Sequence, residues 1–249
     1  MKIEVHNKKE FKNLSFIGAL PGIGNVGKLA IDYMIEKLNA KKIQTLTFPD
    51  TLNSVIVTKS NTLALPTVEI YHKKIKGKNI ILLTGELNTE DKVEIKNVLQ
   101  HTMSFLSKNN CQKIITIAGI GMEHVPENPE IYVTGNTKTF YKNFKLPKTV
   151  KKNASELVRN INGFSGILPT LAKSEKIHSC CLLTETYNSP FFLGYKSAKE
   201  IIKVLSKQFD FKICFKKLDQ EIEAFDLLLE IGEDSSKDID SDKELNYFN

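Results

Sequence analysis

Residues 14–38 read LSFIGALPGIGNVGKLAIDYMIEKL, and the order of patterns within this stretch decides the fold. The first seven residues are apolar but for Ser15, as expected of a strand buried on both faces. A turn rich in glycine follows, and residues 25–38 then place Val26, Leu29, Ala30, Tyr33, Met34 and Leu38 on one helical face, with Asn39 as the stop. Strand, tight turn and helix in that order predict an α/β protein built on a parallel sheet.

Working outward, further apolar and β-branched runs at 43–48, 80–84, 114–118 and 177–183 read as buried strands. Helical patterns lie between or after them at 89–106, 165–173, 197–208 and 218–231, the first opening on Thr89 as capping residue. The alternation predicts a three-layer α/β sandwich, a mostly parallel central sheet with helices on both faces. Two segments interrupt it. Residues 52–59 and 67–74 read as extended pieces around Asn61 and Pro66, predicting a β-hairpin or antiparallel insertion between the second and third parallel strands. Residues 119–148 are rich in glycine and proline and read as loops.

Gly22-Ile-Gly24-Asn25-Val-Gly27 fits the GxGxxG spacing between a strand and a helix, and Asp50 follows the next strand where a dinucleotide fold puts its ribose-binding acid. The competing reading, which we favour, is structural: Gly22 and Gly24 permit a tight turn at positive φ, and Gly27 lets the helix approach the sheet. The loop lacks the GK[ST] of a nucleoside-triphosphate site, although backbone N–H groups at the helix start could hold an anion. No cofactor or metal is expected.

A chain of 249 residues with 41% hydrophobic content can bury a core without disulfides or metal. Cys111, Cys180, Cys181 and Cys214 show no CxxC spacing and read as small buried hydrophobes. No apolar run approaches a membrane span or a signal peptide, so a cytoplasmic protein is expected. The formal charge of +6 is carried almost wholly by lysine, with Arg159 the single arginine, and the lysines are dispersed. That argues against specific nucleic-acid recognition, which leans on arginine's planar fork.

Several segments together resemble the proteasome assembly chaperone 2 (PAC2) family, in its archaeal form. They are the opening LPGIGNVGKLAIDYMIEKL (20–38) with Phe48-Pro49-Asp50, the glycine-ended strand IITIAGIG (114–121), and the strand and turn at 130–137. INGFSGILPTL (161–171), IHSCCLLTETY (177–187) and SAKEIIKVL (197–205) continue the likeness in the correct order. The resemblance implies a phosphorylase-like sandwich without established enzymatic activity, typically homo-oligomeric, that assembles or engages the proteasome through its α-subunits or 20S ring. Where family members often carry aspartate before the last matched helix, this chain has Asn188 and Ser189.

Residues 233–249, EDSSKDIDSDKELNYFN, hold six acids against two lysines, a charge of −4 that leaves +10 on the rest. Such a composition predicts a disordered acidic tail after a domain spanning 1–232. Its end, Tyr247-Phe248-Asn249, resembles the hydrophobic-tyrosine-any tripeptide with which proteasome-binding partners enter pockets of the outer ring, with Phe248 keeping the ring and losing the hydroxyl. These three residues are the expected partner-binding site. The alternative, an enzyme acting on a nucleoside-like ligand, draws on His101, His124, Glu123, Glu185 and Glu86, with Glu123 and His124 best placed after a strand.

Overall fold

The computed structural model describes residues 1–7, 11–49, 55–58, 60–87 and 92–241, giving only the backbone course for 230–241. Ten strands are present among them: β1 (Lys2–Val5), β2 (Leu14–Gly18), β3 (Lys41–Thr47), β4 (Ile56–Val57), β5 (Leu63–Ala64), β6 (Thr67–Ile75), β7 (Lys78–Gly85), β8 (Lys113–Met122), β9 (Ile131–Gly135) and β10 (His178–Tyr187). Five helices accompany them: α1 (Val26–Leu38), α2 (Lys92–Lys108), α3 (Phe164–Leu171), α4 (Tyr195–Phe209) and α5 (Lys216–Ser241).

Eight strands form one sheet in the order β1-β3-β6-β7-β2-β8-β10-β9. Its centre, β7-β2-β8-β10, is parallel throughout. These strands are the continuous apolar runs, because helices cover both of their faces. Flanking pairs are antiparallel: β6 with β7 and β3, β1 with β3, and β9 with β10. The expected insertion is therefore β6, which enters the sheet between β3 and β7 as a full strand and carries the small hairpin β4-β5 ahead of it. Its return into β7 uses Lys76 at φ 45° and Gly77 at φ 82°, two left-handed residues between the paired Ile75 and Lys78. A two-residue turn of that kind matches the twist of the strands it joins.

Alternation along β2 divides the core. Leu14 and Phe16 belong to a buried cluster with Ile95, Val98, Leu99, Phe164 and Leu168, which places α2 and α3 on that face. Ile17 points to the other face, where α1 packs against β7, β8 and α4. Helix α1 stops as its sequence predicts: Asn39 adopts φ 50°, its N–H donates to the Glu36 carbonyl at 3.1 Å, and the Ala40 N–H donates to Ile35 at 3.0 Å. A left-handed residue after the last turn satisfies carbonyls that the helix leaves open.

Residues Met1–Ile213 and Cys214–Asn249 form two compact units. Helix α5 runs past Gly232 to Ser241, so residues 233–241 have a helical course where composition predicts none. Extending a helix already nucleated fixes one residue per new hydrogen bond, which costs far less than starting one. Residues 242–249, including Tyr247, Phe248 and Asn249, lie outside the described residues, as do Asp50 and Thr89. No described helix is long and apolar enough to cross a membrane.

Candidate functional site

The parallel strands end in a cleft of about 870 Å³. Residues 20–23, 25–28, 117–121, 160–162 and 164–165, with Val158, Leu183 and Pro190, supply most of its wall, so the glycine turn, the end of β8 and the approach to α3 meet there. In open α/β sheets this is the usual place for a ligand, at the carboxyl ends of the strands.

The glycine turn is held by contacts that explain two of its three glycines. Gly24 has φ 60°, and a Cβ there would lie 2.3 Å from the Thr186 hydroxyl on β10. Gly27 faces Ala19 and the backbone of β8: a Cβ would lie 2.5 Å from Ala19 Cβ and 3.0 Å from the Ile117 carbonyl. This is the close helix-to-sheet approach expected of it. Gly22 is different. Its φ of −166° is extended and no atom lies within 4 Å of its Cβ position, so the expectation that it supplies positive φ is corrected. Asn25 takes the second left-handed position instead, at φ 50°, and its N–H donates to the Gly22 carbonyl at 2.9 Å. The Gly194 N–H donates to the Gly24 carbonyl at 2.8 Å, tying the turn before α1 to the turn before α4.

The electrostatics beside the turn do not suit a phosphate. Lys28 Nζ lies 2.6 Å from Asp32 and 2.9 Å from Glu86, and the Thr84 hydroxyl donates to the second Asp32 oxygen at 2.6 Å. Two carboxylates thus surround one ammonium at the start of α1, and the local field is negative where an anion site needs it positive. Burial lowers the Lys28 pKa, but the attraction of Asp32 and the bonds to both acids outweigh it and raise the pKa above its ordinary 10.5. Sequence spacing could have found the Lys28–Asp32 pair, which is i, i+4 on α1. Glu86 arrives from β7 and carries no local signal.

The polar residues considered for catalysis are not brought together. His101 lies on α2 with Nε2 2.7 Å from Gln44, and burial and then Lys108 push its pKa down. Glu123 and His124 are exposed in the loop after β8. Glu185 accepts the Glu130 N–H at 3.0 Å and the Tyr132 hydroxyl at 3.3 Å, so it pins β9 to β10. Inside the cleft, the Ser165 hydroxyl donates to the Ile117 carbonyl at 2.7 Å, while the Thr116 hydroxyl donates back to the Ser165 carbonyl at 2.6 Å. The titratable side chains lining the cleft among the described residues are Lys28 and Glu86, already paired with each other. Among those residues no group of three or more histidine, cysteine, aspartate or glutamate side chains is arranged for a metal.

Cys111, Cys180 and Cys181 are buried as expected, whereas Cys214 is exposed. Burial pushes the thiols of Cys111 and Cys181 up to about 12.

Sheet order, flanking helices and a cleft walled by a glycine turn define a three-layer α/β protein. The chain belongs to the PAC2 family, whose profile matches residues 16–230. Among solved structures it is similar to PbaB of Pyrococcus furiosus, described as an archaeal proteasome activator: 23% identity, 93% of this chain and 98% of that one, TM-score 0.81. It is also similar to P. furiosus PbaA, described as an archaeal homolog of proteasome-assembly chaperone: 21% identity, 97% and 96% coverage, TM-score 0.75. A curated relative, an uncharacterized protein of Methanocaldococcus jannaschii, is 20% identical over 227 residues, 91% of this chain and 86% of the relative. At these identities the likeness to solved structures establishes the fold.

Proposed function

We propose that this protein is a proteasome assembly chaperone-like factor that binds proteasome α-subunits or the 20S ring, acting by contact rather than by chemistry of its own. The observation that carries the reading is PAC2 membership over residues 16–230, supported by fold likeness to proteins described as a proteasome activator and a proteasome-assembly chaperone homolog. The cleft adds support of a weaker kind, since its lining base, Lys28, is already held by Asp32 and Glu86. In this reading the protein is cytoplasmic and self-associates, and Tyr247, Phe248 and Asn249 at the end of an acidic tail supply part of the contact. Several tails on one oligomer raise the effective concentration of each weak contact.

The test is co-purification from native lysate of the source organism, with full-length protein and with residues 247–249 deleted. Proteasome α-subunits recovered by the full-length protein and depleted by the deletion support both parts. Recovery of none overturns the proteasome reading, and equal recovery overturns the role of the tail.

A further inference from the structure

The eight-stranded sheet has two edges, and they are finished differently. At β9 the outer backbone is already used: the Val133 N–H donates to the Lys151 carbonyl and the Lys151 N–H to the Ile131 carbonyl, each at 2.8 Å. At β1, among the described residues, the strand pairs with β3 alone and all of its residues are exposed. The His6 N–H donates to the Ile43 carbonyl at 2.9 Å, so alternation turns the backbone of Glu4 and Lys2 toward β3 as well. That leaves the N–H and C=O groups of Ile3 and Val5 pointing out of the sheet, an open row onto which another strand can add.

Side chains on β1 alternate too. Ile3 pairs with Leu46, which belongs to the core cluster of Ile95, Val98 and Leu99 on α2. Ile3 and Val5 therefore carry that apolar layer past the last covered strand, where they are 42% and 45% exposed. Lys2 and Glu4 occupy the opposite face, with Glu4 3.6 Å from His6. A lysine on an edge strand normally discourages pairing. Here Lys2-Ile3-Glu4 is its own complement when read antiparallel, because inverting it about Ile3 sets each lysine against a glutamate.

We infer that β1 pairs antiparallel with β1 of a second copy about a two-fold axis through Ile3, joining two sheets into one. This rests on the self-association part of the proposed function, specifies its surface, and does not depend on proteasome binding. Backbone direction limits the register, since only Ile3 and Val5 of β1 face outward. Ile3 against Val5 would set Glu4 opposite the second copy's Glu4, and Val5 against Val5 would set Ile3 opposite Asn7. Ile3 against Ile3 gives paired backbone hydrogen bonds, brings the aliphatic side chains together on the α2 side and sets Lys2 opposite Glu4 twice on the other. Opposite charges directly across a strand pair stabilise it and like charges destabilise it. That selects this register, and it selects a second copy over an unrelated strand, because the two-fold satisfies both edges at once. Strands of four residues bury less than the ~800 Å² per partner of a permanent interface, so the association depends on concentration.

The experiment uses full-length protein with Cys214→Ser, which removes the exposed thiol. Differently tagged Lys2→Cys and Glu4→Cys copies are mixed under mild oxidation. The two positions stand about 4.5 Å apart as a non-hydrogen-bonded pair, within the roughly 4.4–6.8 Å that a disulfide spans, and the second Lys2–Glu4 pair stays intact. A disulfide joining the two tags, formed in the mixture and in neither copy alone, is the expected result. Mass is followed by light scattering up to hundreds of micromolar, as a weak interface requires. Lys2→Glu is expected to lower it toward half at an unchanged thermal midpoint, and Lys2→Glu with Glu4→Lys to restore it. A Glu4→Cys copy that links to itself shows Ile3 against Val5 and overturns the pairing. An assembly that Lys2→Glu leaves intact, with no disulfide in the mixture, overturns the β1 contact and leaves self-association to another surface. A wild-type chain that stays at 28.1 kDa throughout overturns both, without touching proteasome binding.

Discussion

The Cβ position of Gly24 lies 2.3 Å from Thr186 Oγ1, so the turn before α1 rests directly on the end of β10 with no room for a side chain. A spacing that resembles a dinucleotide fingerprint is here a packing junction between two elements 162 residues apart in the chain.

Gly24→Ala places a methyl group in that gap at a positive φ, and is expected to cost about 2–4 kcal/mol, combining left-handed strain with overpacking. Gly22→Ala, at extended φ with open space, is expected within about 0.5 kcal/mol of wild type. Urea unfolding of the two variants measures both. Equal effects would mean that the turn does not rest on Thr186 as described.

Lys28 joins α1 to β7 through Asp32 and Glu86. Its raised pKa makes the charged form more favourable in the folded chain, so the stabilisation is full below about 10.5 and is lost as pH rises through the higher folded value. Lys28→Met is expected to cost about 1 kcal/mol near neutrality, since both carboxylates are partly exposed. The gap between wild type and variant should narrow above pH 11, read as thermal midpoints across that range. A gap that is constant with pH would remove the ion pair from the account.

The Thr116 hydroxyl donates to the Ser165 carbonyl and the Ser165 hydroxyl to the Ile117 carbonyl, two bonds between β8 and the first turn of α3 made by buried side chains. Thr116→Val and Ser165→Ala should each destabilise by about 1 kcal/mol, and the double variant by less than their sum. Strict additivity in a double-mutant cycle would show that the two bonds act independently.

Thiol labelling separates the cysteines. Native protein should react rapidly at Cys214 alone, while Cys111, Cys180 and Cys181 require unfolding, because burial holds their thiols protonated and out of reach. Fast labelling of a second site per chain in the native state contradicts the burial.

Much of this fold is readable along the chain. The apolar runs that become β2, β7, β8 and β10, the spacing that becomes α1, and the stop at Asn39 are properties of neighbouring residues, and the ordered set of motifs carries the family. All four cysteines read as buried, and three of them are: Cys111, Cys180 and Cys181. Less legible was the exposure of Cys214, which depends on what lies around it rather than on its own segment.

Local sequence determined which segments are strands or helices and where they turn, since periodicity, caps and left-handed positions are set within a few residues. Only the tertiary structure decided that β6 enters the sheet between β3 and β7, that Glu86 meets Lys28, and that Thr186 lies beneath Gly24. Those relationships join residues tens to more than a hundred positions apart, and each is chosen by the packing of whole surfaces, which no single segment encodes.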